Sequence, residues 1–465
     1  MTQRYLPTVI QIVATLIITR MILPSDYGEV ALVTSFNQIA TLFVSAGFGE
    51  ALMFRGNNTG KQYSSIFFFN LLIALFIYFL FFITSPFIAQ YYEIPRLSLL
   101  CKVLFINIIL FSLSYIQRIH YQIDLQFKPL AFISLVAAIV GSTVGITMAY
   151  KGMGIWSIVV LTLSINFVET ILLWMKSKWH PSKWFSFQDV KELFPYSMKL
   201  LLNSCIQTIY DNIYSLVIGK SLGSKPLGFF NRMQTVVYFT TTNYMYSIES
   251  AFFPLICKNK EEDSHVKASY EKLLRVSFMS AIFILLLLIL FAKQIVVLIL
   301  TEKWIEGVPV LRDVAIGFLF VPISYINNSF LKIKNKPKVL LYSNIIKKAI
   351  GFTILAITVA KHDLHFICLG FIAYYVIDAI ISSLCVKIFL NYNISFQIKC
   401  ILNTIIIGLI SSSLALFASN FILSLFLSLL VGAVVLFVTF LLLNILFNTE
   451  ELRLVKDILR GLKKG

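Results

Sequence analysis

The chain has 465 residues, of which 58% are apolar or aromatic and only 13% are charged, and its formal net charge is +17. Soluble domains carry about 25% charged residues, so this composition excludes a soluble protein and indicates an integral membrane protein. Fourteen membrane helices of about 22 residues would use about 308 residues, which leaves no room for a separate catalytic domain. The positive charge is typical of cytoplasmic loops, and we expect no nucleic-acid partner.

Long apolar segments follow one another along the chain, separated by glycine, proline and clusters of charge. They predict an all-α integral membrane fold with helices at residues 5–22, 30–54, 64–91, 98–120, 128–149, 153–175, 193–219, 227–256, 272–300, 306–333, 337–360, 363–391, 397–419 and 421–447. No small-residue cleavage site follows the first of them, so we expect that helix to be retained. An even number of helices places both ends of the chain on one side.

The loops differ in charge, and this difference predicts the orientation. Lysine and arginine are more than twice as frequent in the two tails and in the loops after even-numbered helices as in the other loops. By the positive-inside rule, both termini are cytoplasmic. In the last segment, 448–465, Leu452, Val455, Leu459 and Leu462 form one apolar face, which predicts an amphipathic helix on the anionic inner leaflet.

A short motif occurs twice in the sequence. Leu16, Ile18, Arg20, Ile22 and Gly28 correspond, 200 residues further on, to Leu216, Ile218, Lys220, Leu222 and Gly228. A Lys-Pro pair likewise opens the fifth and the eleventh predicted helix. The repeats predict two six-helix lobes related by a pseudo-twofold axis along the membrane normal. The predicted organisation is an N-terminal lobe 1–175, a cytoplasmic linker 176–192, a C-terminal lobe 193–391, two further helices in 392–447 and the amphipathic helix 448–465.

Catalytic motifs are missing from the sequence. The five histidines lie in loops or at helix ends, and the six cysteines show no C-x-x-C spacing. There is no P-loop, G-x-S-x-G or H-E-x-x-H motif, and no predicted outer loop is long enough to hold a glycan acceptor. We therefore expect a carrier rather than an enzyme, with no metal site and no cofactor.

Ionisable residues inside a bilayer are expensive, by about 2.5–3.5 kcal/mol on insertion scales, so each requires a reason. Eight lie well inside the predicted helices: Glu169, Lys199, Asp211, Arg232, Glu249, Lys347, Lys348 and Asp378. Their estimated depths predict that Lys199 pairs with Glu249 and that Asp211 pairs with Arg232.

Lys347 and Lys348 are expected near the membrane midplane, opposite Asp378. Adjacent helical residues differ by about 100° around the axis, so one carboxylate would leave one of the two lysines for an anionic headgroup such as a pyrophosphate. The competing interpretation is that these charges form interhelical pairs or extend to the interface. Arg118 is expected to extend to the interface.

The seventh and eighth predicted helices carry many amides and hydroxyls, among them Asn203, Gln207 and Asn231. Helices this polar do not face lipid. Their side chains suit the hydroxyl groups of a glycan, although a packed polar interface is the alternative.

Several stretches resemble the bacterial polysaccharide flippases of the multidrug/oligosaccharidyl-lipid/polysaccharide exporter superfamily, in particular the colanic-acid and teichuronic-acid exporter type. The stretches are RMILPSDYG at 20–28, GFG at 47–49, QFKPLA at 126–131, GMGIWSIV at 152–159, NIYSLVIGKSLG at 212–223, GFFNRMQ at 228–234, EKWIEGVPVL at 302–311 and IIKKAIG at 345–351. The resemblance implies a carrier in the bacterial cytoplasmic membrane that turns undecaprenyl-pyrophosphate-linked oligosaccharides from the inner to the outer leaflet by alternating access. It also implies that Arg232, Lys347 and Lys348 are cations of the transport cavity.

The sequence thus predicts a substrate site, and it leaves alternatives open. The predicted residues are Arg232, Lys347, Lys348, Lys199, Asn203, Asp211, Asn231 and Asp378. The expected partners are an anionic lipid-linked oligosaccharide, membrane lipids and a polysaccharide polymerase. The alternatives are a cation-coupled multidrug antiporter, whose cavity would be acidic, a membrane enzyme of glycan assembly, and a non-transporting scaffold.

Overall fold

The computed structural model describes residues 2–56, 58–258 and 262–447. Within these ranges the chain forms eighteen α-helices and one 3-10 turn, and it contains no strand. The all-α class is therefore confirmed. The predicted amphipathic helix at 448–465 lies outside the described residues.

The first nine helices belong to the N-terminal half of the chain. They are α1 (Thr2–Met21), α2 (Pro24–Ser45), α3 (Phe48–Arg55), α4 (Gly60–Tyr92), α5 (Arg96–Leu104), α6 (Ile106–Ile123), α7 (Phe127–Tyr150), α8 (Trp156–Lys176) and α9 (Phe187–Ser221). Local sequence signals set their ends. Thr59 and Gln62 form a capping box at the start of α4, which satisfies two otherwise unpaired amides. Ala46 and Gly47 have positive φ angles of 44° and 72°, and they separate α2 from α3.

The remaining helices belong to the C-terminal half. They are α10 (Ser224–Lys258), α11 (Asp263–Leu290), α12 (Ala292–Leu300), the 3-10 turn Glu302–Gly307, α13 (Val308–Phe318), α14 (Val321–Ile333), α15 (Pro337–Val359), α16 (Leu364–Leu390), α17 (Ile394–Asn420) and α18 (Leu425–Leu446). Proline stands in the first turn of α13, α14 and α15, where its fixed φ favours helix initiation and no amide hydrogen bond is lost.

Eleven helical segments of the described chain are long and apolar enough to cross a membrane. Three of them combine consecutive helices, Pro24–Arg55, Arg96–Ile123 and Glu302–Ile333. The apolar part of α1, Leu6–Met21, is shorter, and the polar helices α9 and α10 are not among the eleven. The protein is therefore a multi-pass membrane protein, while the count of fourteen crossings and the cytoplasmic position of both termini stay predictions.

The chain divides into two compact units, Met1–Gly228 and Phe229–Gly465. In the first unit, Phe48, Leu52, Ile66 and Ile116 bring α3, α4 and α6 together in a buried cluster. In the second unit, a cluster of buried side chains joins α11, α14 and α16: among them are Tyr270, Leu274, Phe330, Leu331 and Val386. The predicted lobes at 1–175 and 193–391, and their pseudo-twofold relation, stay predictions.

The two copies of the repeated motif contact each other inside the first unit. A Cβ atom added to Gly28 would lie 1.8 Å from the backbone oxygen of Ser224, and one added to Gly228 would lie 1.9 Å from the backbone oxygen of Pro24. The contact is reciprocal, since each glycine meets the backbone at the start of the other helix. Glycine is needed at both positions because only a residue without Cβ allows the start of α2 and the start of α10 to approach this closely.

Candidate functional site

Among its described residues, the second unit contains three buried cations on two helices. Arg232 on α10 is 3% exposed, and Lys347 and Lys348 on α15 are 1% and 8% exposed. Lys347 Nζ lies 2.9 Å from Asp378 Oδ1 on α16, which confirms the predicted proximity of these two residues. A buried ion pair of this kind contributes little net stability, but removing one partner leaves a strongly disfavoured charge.

Lys348 follows Lys347 directly, so its side chain leaves α15 in a different direction. Both lysines are nevertheless buried, and the helix therefore has protein on more than one side at this level. Lys348 and Arg232 each have an interaction partner. The expectation that one of the two lysines is available to an anionic headgroup stays a prediction.

The other predicted site residues are more exposed. Lys199 and Asp211 on α9 are exposed, and Asn231 on α10 is half-buried. Asp211 accepts hydrogen bonds from Gln207 Nε2 at 2.8 and 2.9 Å. Asn203 also lies on α9, but its side chain is outside the described part of the structure.

The predicted pairs Lys199 with Glu249 and Asp211 with Arg232 each draw one residue from either unit, and both stay predictions. Within the second unit, Glu249 on α10 accepts hydrogen bonds from the hydroxyl groups of Tyr325 and Ser329 on α14. Sequence reasoning identified Glu249 but not these donors. Their spacing of four residues, which places both on one face of a helix, was the available signal.

A second cluster, which the sequence did not assemble, occurs in the first unit. Arg118 on α6 forms an ion pair with Glu169 on α8 at 2.8 Å, and Ser134 Oγ on α7 donates to Glu169 Oε1 at 3.0 Å. The pair lines a cavity of about 540 Å³, together with Pro7, Thr8, Gln11, Gln122, Phe127, Leu130 and Ala131. Arg118 therefore neutralises Glu169 in addition to reaching solvent, with 37% of its side chain exposed.

Buried amides and hydroxyls also connect four helices of the second unit. Tyr270 on α11 donates to Asn327 Oδ1 on α14 at 2.8 Å, and Asn327 Nδ2 donates to Ser383 on α16 at 3.2 Å. Ser383 in turn donates to Gln397 on α17 at 2.7 Å. Such a network fixes the packing of helices in a medium where unsatisfied polar groups are costly.

The described residues contain no group of three or more potential metal ligands. His365, at the start of α16, has Nδ1 2.9 Å from Asp313 Oδ2 on α13. The arrangement therefore consists of charged and polar side chains on the helices of a membrane protein. Such side chains inside a membrane are typical of carriers.

The chain belongs to the family described as "Polysaccharide biosynthesis protein", whose sequence model matches residues 17–309, more than half of the chain. It is 24% identical over 337 residues to the teichuronic acid biosynthesis protein TuaB of Bacillus subtilis, covering 72% of this chain and 70% of the relative. It is 20% identical over 368 residues to the lipopolysaccharide biosynthesis protein WzxC of Escherichia coli, covering 79% and 75%.

Solved structures show the same fold. The lipid II flippase MurJ in an inward closed conformation matches with a TM-score of 0.75 and 14% identity, covering 96% of this chain and all of that chain. An inward-facing multidrug resistance transporter of the MATE family matches with a TM-score of 0.63 and 14% identity, covering 81% and 94%. The predicted membership among the polysaccharide flippases of this superfamily is confirmed, and the protein is a transporter rather than an enzyme.

Proposed function

We propose that the protein is a flippase that moves undecaprenyl-pyrophosphate-linked oligosaccharide repeat units from the inner to the outer leaflet of the bacterial cytoplasmic membrane. The names of the relatives support a role in building a surface polysaccharide, since one acts in teichuronic acid and the other in lipopolysaccharide biosynthesis. In this proposal both termini are cytoplasmic, and a polysaccharide polymerase uses the exported units.

The observation that carries the proposal is the set of three buried cations in the second unit. Arg232, Lys347 and Lys348 are each less than 9% exposed, and Lys347 and Lys348 stand in the middle of a helix of membrane length, α15. Charges at such positions are rare and are typical of substrate pathways. Cations complement the negative charge of a pyrophosphate, and an arginine offers it two parallel hydrogen bonds.

Transport requires that the substrate compete with partners already in place. The ammonium group of Lys347 is held by Asp378 at 2.9 Å, so we propose that it is shared between Asp378 and the pyrophosphate during the cycle. The polar side chains of α9 and α10, including Asn203, Asp211 and Asn231, would contact the glycan, and Lys199 would meet the anionic headgroup. The lipid tail would remain in the bilayer. No covalent bond is made or broken.

The test is leaflet accessibility of a lipid-linked oligosaccharide in proteoliposomes. Wild-type protein should expose the glycan to an external lectin or glycosidase, and the double variant Lys347→Ala/Lys348→Ala should lose this exposure. The matched control, Lys332→Ala/Lys338→Ala, removes two exposed lysines, one in the last turn of α14 and one in the first turn of α15. It should transport like the wild type.

The outcomes separate the function from the site. If only the Lys347→Ala/Lys348→Ala variant fails to expose the glycan, while it inserts normally into the membrane, both the flippase function and the site are supported. Equal transport by both variants would retain the flippase and remove Lys347 and Lys348 from its mechanism. If wild-type protein moves no lipid-linked glycan but drives proton- or sodium-coupled efflux of cationic dyes, the antiporter replaces our proposal.

A further inference from the structure

A separate cavity of about 460 Å³ lies in the second unit, at the ends of the helices rather than inside them. Three loops or helix ends enclose it: the start of α11, the turn from α14 to α15, and the turn from α16 to α17. Its lining residues are Asp263, Ser264, Lys267, Lys334, Lys336, Phe389, Leu390, Asn391 and Tyr392. The volume falls within the range of about 300–1,000 Å³ that small-molecule sites occupy.

The lining is strongly cationic. Lys267, Lys334 and Lys336 face a single lining carboxylate, Asp263, which forms an ion pair with Lys334. Asp263 holds the Lys334 side chain at the cavity, where it is 20% exposed. Lys267 and Lys336 are exposed to solvent. The cavity therefore keeps two more cations than acids, a balance that attracts anions.

Tyr392, one of the lining residues, carries a buried hydrogen-bond donor. Tyr392 is 6% exposed, and its hydroxyl is buried without a hydrogen-bond partner among the described residues. Burial, together with the negative charges of Asp263 and Glu271, raises the pKa of Tyr392 to about 12, so the hydroxyl keeps its proton at neutral pH. Buried polar groups in native proteins almost always have a partner, and a protonated phenol can supply one hydrogen bond to an acceptor oxygen.

We propose that this cavity is a binding site for a phosphate group, in which Lys267 and Lys336 supply charge and Tyr392 donates a hydrogen bond to a phosphate oxygen. The apolar side chains of Phe389 and Leu390 on the same rim would accommodate carbon atoms attached to that phosphate. Phosphodiesters of anionic lipids and free phosphate compounds share this chemistry. The site uses none of the buried cations assigned to transport, so it does not depend on the proposed function.

The experiment uses the full-length chain and two probes. In the first assay, inorganic pyrophosphate is titrated calorimetrically into protein in a neutral detergent. In the second, the protein is placed in nanodiscs of phosphatidylcholine with phosphatidylglycerol, and native mass spectrometry counts the phosphatidylglycerol molecules that stay bound after the protein is released. The variants are Lys267→Gln/Lys336→Gln and Tyr392→Phe. The control Lys332→Gln/Lys338→Gln removes the same charge from exposed lysines outside the cavity.

Wild-type protein should bind at least one probe, and the Lys267→Gln/Lys336→Gln variant should bind it at least about tenfold more weakly, since it lacks two positive charges that attract the phosphate. Tyr392→Phe should weaken binding several-fold without changing the charge, and the control should bind like the wild type. Binding of pyrophosphate alone identifies a soluble phosphate compound, and binding of phosphatidylglycerol alone identifies a lipid headgroup. Binding of neither probe, or equal losses in the variant and the control, would overturn the proposal.

Discussion

The two units differ in the sign of the charges that they bury. Among the described side chains, the buried acidic and basic residues of the first unit are the acids Glu29 and Glu169, and each is paired with an arginine that reaches solvent. Those of the second unit are the cations Arg232, Lys347 and Lys348. In the first unit, an arginine that is partly exposed to solvent neutralises the charge of each buried acid. Buried cations in the other unit provide positive charge deep in the protein, which is where an anionic headgroup would be bound.

The difference suggests that the two units have separate roles. The backbone contact between the repeated motifs is symmetrical, because Gly28 and Gly228 play the same part, whereas the buried charges are not. We infer that the repeat supplies the scaffold and that the second unit supplies the recognition of charge. The predictions below test this division.

The largest effect is expected at the buried ion pair of the second unit. Asp378→Asn leaves the ammonium of Lys347, 2% exposed, without its carboxylate, and breaking a buried pair in this way costs about 3–5 kcal/mol. The free energy of unfolding in mixed micelles should fall by this amount.

The double variant Lys347→Leu/Asp378→Leu serves as the control for this prediction. It removes both charges, so stability should return to near or above the wild-type value. Transport should not return, because a cation assigned to the substrate is gone. Normal transport by the double variant would show that the pair is structural.

The next effect concerns the scaffold that the repeated motifs form. Gly28→Ala and Gly228→Ala should each destabilise the protein by about 1–3 kcal/mol or more, because the added methyl group meets backbone oxygens that cannot move aside. The two losses should be similar, since the contacts are reciprocal. Gly60→Ala is the control, because a Cβ there has nothing within 4 Å. Thermal unfolding in detergent would measure all three, and a large loss for only one of the pair would contradict the reciprocity.

The apolar pattern of the sequence predicts the helices well, because a membrane requires each crossing to be long and continuous. It misses the breaks inside crossings, such as the one at Ala46 and Gly47, because a short positive-φ turn leaves the hydropathy unchanged. The polar helices α9 and α10 are longer than predicted, each with 35 residues. The helical hydrogen bonds continue beyond the apolar residues from which the predicted bounds were taken.

The sequence predicted residues of the candidate site only where these residues are charged. Lys347 and Asp378 stood out as charges inside apolar helices, and depth arithmetic sufficed to bring them together. Tyr325 and Ser329 did not stand out, because hydroxyl groups are common in membrane helices and only packing shows which of them reach Glu249. The cationic cavity at Tyr392 was also missed, since it assembles three separate loops that no sequence period links.

A smaller effect is expected at the acid–arginine pair of the first unit. Arg118→Gln should destabilise the protein by about 1–2 kcal/mol, less than Asp378→Asn, because Arg118 is 37% exposed and the pair lines a cavity from which water can reach the carboxylate of Glu169. Arg118→Gln/Glu169→Gln should recover most of this loss, since the buried charge is gone while Ser134 keeps an acceptor. Flipping by the double variant should remain. Loss of flipping in a stable double variant would place recognition of charge in the first unit as well.

The smallest effect is expected on the surface of the first unit, where Arg55 and Glu192 form an ion pair at 3.0 Å with side chains 40% and 47% exposed. Both groups remain hydrated after the pair is broken, so Arg55→Gln should change the free energy of unfolding by less than about 1 kcal/mol, and by still less at high salt. The measurement is the same denaturation in mixed micelles at two ionic strengths. If Arg55→Gln lowers the free energy of unfolding as much as Arg118→Gln does, solvent exposure does not determine how much these ion pairs contribute to stability. The contrast between acids paired with exposed arginines and buried cations would then have no energetic basis.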